Sequence, residues 1–175
     1  MEVNKCISER RSIRKFKDDF VEDEKLVQIL NAARLAPSAK NRQPWKLFIA
    51  HGEIKKQIVD ILKLWFENNK SHTGVLGTLN AISNAPVLIL VFRYSDSPWE
   101  RCDALSIGGA IENMLLTATS LGLGSLWVAD VLHTKREIET LVSTNLDLYS
   151  AVAIGYADES PSQRPRKSLD EIILK

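Results

Sequence analysis

Residues 86–92, Pro-Val-Leu-Ile-Leu-Val-Phe, are the constraint that any fold of this chain has to satisfy. A strand with one wet face alternates apolar and polar positions. This run does not alternate, so both its faces need cover, which places it at the centre of a sheet. Taken from Ala85 to Phe92 it is also far too short to span a bilayer. The stretch Ala104 to Leu121 makes the matching demand from the helical side. Apart from Glu112, Asn113 and a few hydroxyls it is apolar nearly all round, the mark of a helix buried on most sides. Gly108-Gly109 inside it costs helix stability unless a neighbour packs unusually close there; Gly122 and Gly124 end it.

The remaining periodicities supply the layers. Val3, Cys6 and Ile7 predict a short first helix. Leu26, Ile29, Leu30 and Ala33 predict a helix over 22–35, with Glu22, Asp23 and Glu24 where the dipole favours carboxylates, and Pro37 stops it. Trp45 to His51 reads as a strand, and Ile54, Ile58, Ile61, Leu62 and Trp65 as an amphipathic helix ending near Asn68-Asn69. Ser71 to Gly77 reads as a loop and Thr78 to Asn84 as a short helix. Ser125 to Ala129 is a short strand, His133 to Ser143 a helix, and Ser150 to Tyr156 a last apolar strand. Ser168-Leu-Asp-Glu171 has the form of a capping box opening a short final helix. About four core strands interleaved with helices make a three-layer α+β or α/β arrangement. No repeat or linker divides the chain, so 1–175 reads as one domain. The tail from Ala157 has too little apolar content to fold back on its own account; a second subunit is the natural surface for it to cross.

The chain's recognition chemistry is concentrated in its cations. With 23 Lys and Arg against 22 Asp and Glu, the formal charge is +1, which argues against general nucleic-acid or membrane-surface binding. Yet Arg10-Arg11-Ser12-Ile13-Arg14-Lys15 gathers four cations and a hydroxyl in six positions. In an extended segment Arg10, Ser12 and Arg14 share one side and offer forked donors to a single anion, and guanidinium grips phosphate well. Taken alone, the cluster reads as a solvated basic turn. Arg164-Pro-Arg-Lys167 changes that reading: if the fold joins the two groups, together they hold a phosphate ester.

Other catalytic apparatus is not legible. There is no Gly-x-Gly-x-x-Gly and no P-loop, no serine in a nucleophile elbow, and no metal-ligand spacing among His51, His72 and His133. Cys6 and Cys102 are too few for a disulfide framework, which fits a reducing compartment. Cys102 beside Arg101 reads as a small buried filler rather than an activated thiol, and Asp103 and Glu112 form no obvious acid/base pair. The amino terminus is charged from Glu2 onward and has no apolar signal segment, so a cytoplasmic protein is expected. Phosphate-gripping ends without catalytic side chains imply that a bound cofactor does the chemistry.

The loop Ala36-Pro-Ser-Ala-Lys-Asn-Arg-Gln-Pro-Trp45 gives the direction. By itself it is a polar helix-to-strand connector stiffened by Pro37 and Pro44, with Ser38, Asn41 and Gln43 able to hydrogen-bond. Taken with Arg10-Arg11-Ser12-Ile13-Arg14, it resembles the paired signature of the nitroreductase family of FMN-dependent oxidoreductases. The Pro86 strand, the Gly108-Gly109 helix, the Gly122-Leu-Gly124-Ser125 turn and Arg164-Pro-Arg-Lys167 with Leu169 follow in the same order and extend the resemblance over nearly the whole chain. It implies an α/β/α fold with a mixed central sheet and an intertwined homodimer with two FMN at its interface. Arg10, Arg11 and Ser12 are implied at the ribityl-phosphate, and Arg14 at the pyrimidine end of the ring. Pro37, Ser38 and Asn41 are implied to come from the partner subunit, Arg164 and Arg166 to close over the phosphate, and Asn80 to reach the pyrimidine edge. Backbone N–H groups around Ala129 and Asp130 are implied to face N5, the hydride-accepting atom.

Two departures stand out. The family often has a glycine where this chain reads Val128-Ala129-Asp130, and a second serine where Ala39 stands. The chain is also short, leaving residues 66–80 as the only candidate lid. The expected function is a ping-pong oxidoreductase carrying hydride from NADH or NADPH through FMN to a small electron-poor acceptor, a nitroaromatic or quinone. Flavin cleavage, dehalogenation or ring oxidation on the same scaffold, and flavin binding without turnover, are the alternatives. A catalytic side chain is not expected, and neither is a metal.

Overall fold

The computed structural model describes residues 2–95 and 98–174. The elements run α1 (Val3–Glu9), α2 (Asp23–Arg34), β1 (Trp45–Ala50), α3 (Gly52–Asn68), α4 (Gly74–Asn84), β2 (Val87–Arg93) and α5 (Glu100–Ser120). They continue with β3 (Gly124–Val128), α6 (Lys135–Leu141), β4 (Asp147–Gly155) and α7 (Leu169–Ile172). The strands form one sheet in the order β1-β2-β4-β3. As its apolar run requires, β2 lies inside, between β1 and β4.

Both faces of β2 are covered. Leu88, Leu90 and Phe92 pack with Ile58 and Leu62 of α3, Leu79 and Ile82 of α4, and Ile138 of α6. Ile89 and Val91 pack with Ile29 and Ala33 of α2 and Ile107, Ile111 and Met114 of α5. Alternating side chains of one strand thus enter two separate cores, which is the three-layer α/β/α arrangement. A bulge between Val91 and Phe92 pairs those residues with Ser150 and Leu148. The skipped Tyr149 shifts the alternation of β4, so Leu148, Ala151 and Ala153 all serve the same core.

The sheet is less mixed than expected. Each of the three strand pairs is antiparallel, and the parallel component is reduced to an isolated bridge between Ser12 and Ser125. Helix α4 begins at Gly74, not Thr78: Val75 is buried, and that contact outweighs the poor helix propensity of Gly74 and Gly77. The helix expected from His133 is divided into a tight 3₁₀ turn over Asp130–Thr134 and α6; the Thr134 hydroxyl donates to the Val131 carbonyl at 3.4 Å. The final helix opens with the expected capping box of Ser168 and Glu171. Gly108 and Gly109 are not crowded by their own chain. A Cβ on Gly108 would make an ordinary 3.7 Å contact with Trp127, and one on Gly109 would meet nothing within 4 Å. No helix among the described residues is long and apolar enough to cross a membrane.

Candidate functional site

The arginine segment is pinned from both sides while its cations stay outside. Ile13 and Phe16 are buried in the core under α4, which leaves the intervening side chains to face out. The Ile13 N–H donates to the Ser125 carbonyl at 3.0 Å, fixing the segment to β3. The Lys17 N–H donates to the Tyr156 carbonyl at 2.9 Å, and the Asp158 N–H to the Lys15 carbonyl at 2.9 Å. The chain leaving β4 therefore runs alongside the arginine segment. The Glu159 carboxylate strengthens that junction, accepting the backbone N–H of Arg14 at 2.5 Å and of Lys15 at 3.2 Å.

This junction brings the two cationic groups together within one chain. Arg10, Arg11, Ser12 and Arg14 form one wall of a cavity of about 190 Å³, and Pro161 to Arg164 with Arg166 form the other. Five guanidinium groups face so small a space. Among the described residues their one carboxylate ion-pair partner is Glu112, 3.9 Å from Arg10. Three of them donate to backbone carbonyls: Arg11 to Ser8 at 2.7 Å, Arg14 to Ser12 at 3.3 Å, Arg166 to Arg164 at 3.1 Å. Carbonyl oxygens orient a guanidinium without neutralising it, so the cavity keeps a strong positive field. A dianionic phosphate ester fits that donor set.

Asp130 and Ala129 come close to this wall through α4. Gly77 lies against Arg14, whose Cδ would be 3.5 Å from a Cβ added there. The next residue, Thr78, donates its hydroxyl to the Asp130 carboxylate. His133 Nε2 stands 4.0 Å from the same carboxylate, and its ring stacks on Trp65 at 4.1 Å. The charge of Asp130 is thus held by α4 and its own turn, while Ala129 is exposed beside it.

The other expected residues stand apart in the single chain. Asn80 is exposed and lines a groove between α3 and α4 with Phe66 and Leu76. Pro37, Ser38 and Asn41 lie on the loop between α2 and β1. That loop is fastened to the start of α5, where Arg42 pairs with Asp103 through Nε–Oδ1 at 3.2 Å and Nη2–Oδ2 at 3.3 Å. Within the loop the Ser38 hydroxyl accepts the Gln43 N–H at 2.9 Å.

Sequence reasoning passed over Glu159, Ser162 and Gln163. The only signal for the last two was their place directly before Arg164. Glu159 had none, because its partner is backbone 145 residues away.

A model described as the nitroreductase family matches residues 7–156. The chain is 31% identical over 165 residues to a provisionally named NADH dehydrogenase/NAD(P)H nitroreductase of Archaeoglobus fulgidus, spanning 89% of this chain and 85% of that protein. It is also 31% identical over 186 residues to the iodotyrosine deiodinase of Thermotoga neapolitana, spanning 95% and 92% respectively. The crystal structure of a provisionally named nitroreductase of Desulfovibrio desulfuricans in complex with FMN matches at a TM-score of 0.84 and 29% identity, over 100% of this chain and 96% of that one.

Proposed function

The chain belongs to the nitroreductase family, and on that footing we propose that it is an FMN-dependent NAD(P)H oxidoreductase reducing a small electron-poor acceptor, a nitroaromatic or quinone. The observation that carries this reading is the 190 Å³ cavity, where both cationic groups meet with little carboxylate to neutralise them. When bound, FMN would supply the two-electron redox chemistry between a nicotinamide donor and the acceptor.

The chain's own residues bind and orient. Arg10, Arg11, Ser12, Arg164 and Arg166 would hold the phosphate of FMN, and Arg14 would add positive charge beside the ring. The Thr78 and His133 contacts hold the Asp130 carboxylate, and the backbone at Ala129 and Asp130 would be left to meet the bound ring. Catalysis is then mostly alignment of donor and acceptor in one slot.

The working form is a homodimer. Leu105 is 74% exposed on α5 and Trp127 44% exposed on β3, and a Cβ on Gly109 of α5 would meet nothing within 4 Å. Leu169, Ile172 and Ile173 leave the tail apolar and uncovered. A second copy covering these surfaces also supplies Pro37, Ser38 and Asn41 to a cavity they do not reach in one chain.

The likeness to iodotyrosine deiodinase favours a second reading, reductive dehalogenation on the same cofactor. The test is anaerobic. Purified protein should be yellow and bleach on addition of NADH or NADPH, then recover its colour with nitrobenzene or a benzoquinone. Recovery with iodotyrosine instead, with release of iodide, selects the second reading. Colourless protein that ignores added FMN refutes both.

A further inference from the structure

The loop 38–43 is held in a strained backbone shape that burial of its own side chains does not explain. Lys40, Asn41 and Gln43 have φ of 53°, 54° and 49°, the left-handed region in which a residue bearing a Cβ is strained. All three side chains are exposed, so burial does not compensate. Strain of this kind persists only where the surroundings over-determine it, and such places are commonly functional.

Asp103 is the surrounding group that decides it. Its side chain is 2% exposed in the first turn of α5, and its two oxygens take two nitrogens of Arg42. A two-pronged pairing fixes the plane of the guanidinium as well as its position. Trp99, just before α5, lies under both neighbouring cations, 4.6 Å from Lys40 Nζ and 5.7 Å from Arg42 Cζ. From the other side Ser38 accepts the Asn41 N–H on its carbonyl and the Gln43 N–H on its hydroxyl. Asn41 is thus clamped at the backbone on both sides, with its amide left in the open.

Helix α5 also reaches the cationic cavity. Glu112, nine residues beyond Asp103, is the ion-pair partner of Arg10; at 1.5 Å per residue it lies about 13.5 Å farther along the same helix axis. The same element therefore contacts both the loop and the arginine segment.

We propose that the Arg42–Asp103 pair is a positioning device that presets Ser38 and Asn41 for the FMN of a second copy of this chain, so that both residues govern cofactor affinity without touching the cofactor. This rests on the reading of the site given under Proposed function. Lysine in place of Arg42 keeps the charge over Trp99 but cannot make the fork. Arg42→Lys should raise the FMN dissociation constant about tenfold, the effect of a released loop that holds the competent shape only about a tenth of the time. It should also weaken the visible circular dichroism of the bound flavin, while the melting temperature of the flavin-free protein stays near the parent value. Asp103→Asn should do the same with some loss of stability, and Arg42→Lys decides the matter if that variant does not fold. The control is Arg10→Ala. If it weakens FMN binding while Arg42→Lys binds within about twofold of the parent, the clamp is refuted and the cofactor site stands. If the parent protein itself binds no FMN, both readings fall.

Discussion

Adding one methyl group at Gly124 tests whether the arginine segment is positioned by the core beneath it. A Cβ at that position would sit 2.9 Å from Ile13 Cγ1, 3.0 Å from Cγ2 and 3.1 Å from Cβ. Carbon atoms in contact prefer about 3.5–4.0 Å, so something must give by roughly 0.6 Å. Ile13 has little freedom to do so. It is β-branched and stiff at χ1, 6% exposed, and tied to Ser125 through its N–H. Overpacking of this kind costs about 1–3 kcal/mol. In a chain of this length each kcal/mol lowers Tm by about 2–4 °C, so Gly124→Ala should melt roughly 2–12 °C below the parent. Ser12 and Arg14 flank Ile13, so the displaced segment should also weaken FMN binding, measured by quenching of flavin fluorescence. Ile13→Ala removes both clashing Cγ atoms, and the double variant should be more stable than the sum of the single effects by about 1 kcal/mol or more. A Gly124→Ala protein that melts with the parent, or single effects that simply add, would refute the idea that Ile13 transmits core packing to the cations.

Arg10→Ala and Arg166→Ala should each lose a charge-assisted contact of about 1.5–3 kcal/mol, a ten- to hundredfold rise in FMN dissociation constant; unchanged flavin content in both variants counts decisively against the cavity. Leu105→Asp should shift the protein from dimer to monomer by light scattering and release its flavin, since a charge placed in a shared apolar face goes unpaired; a flavin-loaded monomer contradicts the shared site. Glu22 is held down at about 2 by the hydrogen bond from its own backbone, then by Lys25 and Tyr156. A lowered carboxyl contributes stability that is fully present above its ordinary value of 4.5 and is lost as pH falls toward 2. The Tm gap between the parent and Glu22→Gln should therefore be widest above pH 5 and close by about pH 2; a gap that does not change with pH removes Glu22 from the acid response.

Local pattern was enough for the layers of this protein. The unbroken apolar run of β2 demanded cover on two faces and received it from α3, α4 and α6 on one side and α2 and α5 on the other. Ser168 and Glu171 announced their own cap. The layers and the cap are legible because side-chain periodicity and capping depend on neighbours a few residues away. What depended on distant closure was not legible. The antiparallel strand pairing and the early start of α4, forced by burial of Val75, were settled by tertiary packing. So was the clamp of Arg42 on Asp103, a residue that by spacing alone pairs with nothing. Above all, residues 10–14 and 161–166 meet because the chain leaving β4 hydrogen-bonds along the arginine segment. A bond spanning some 140 residues leaves no periodicity at either end, so only the folded chain could decide that the two sets of cations share one cavity.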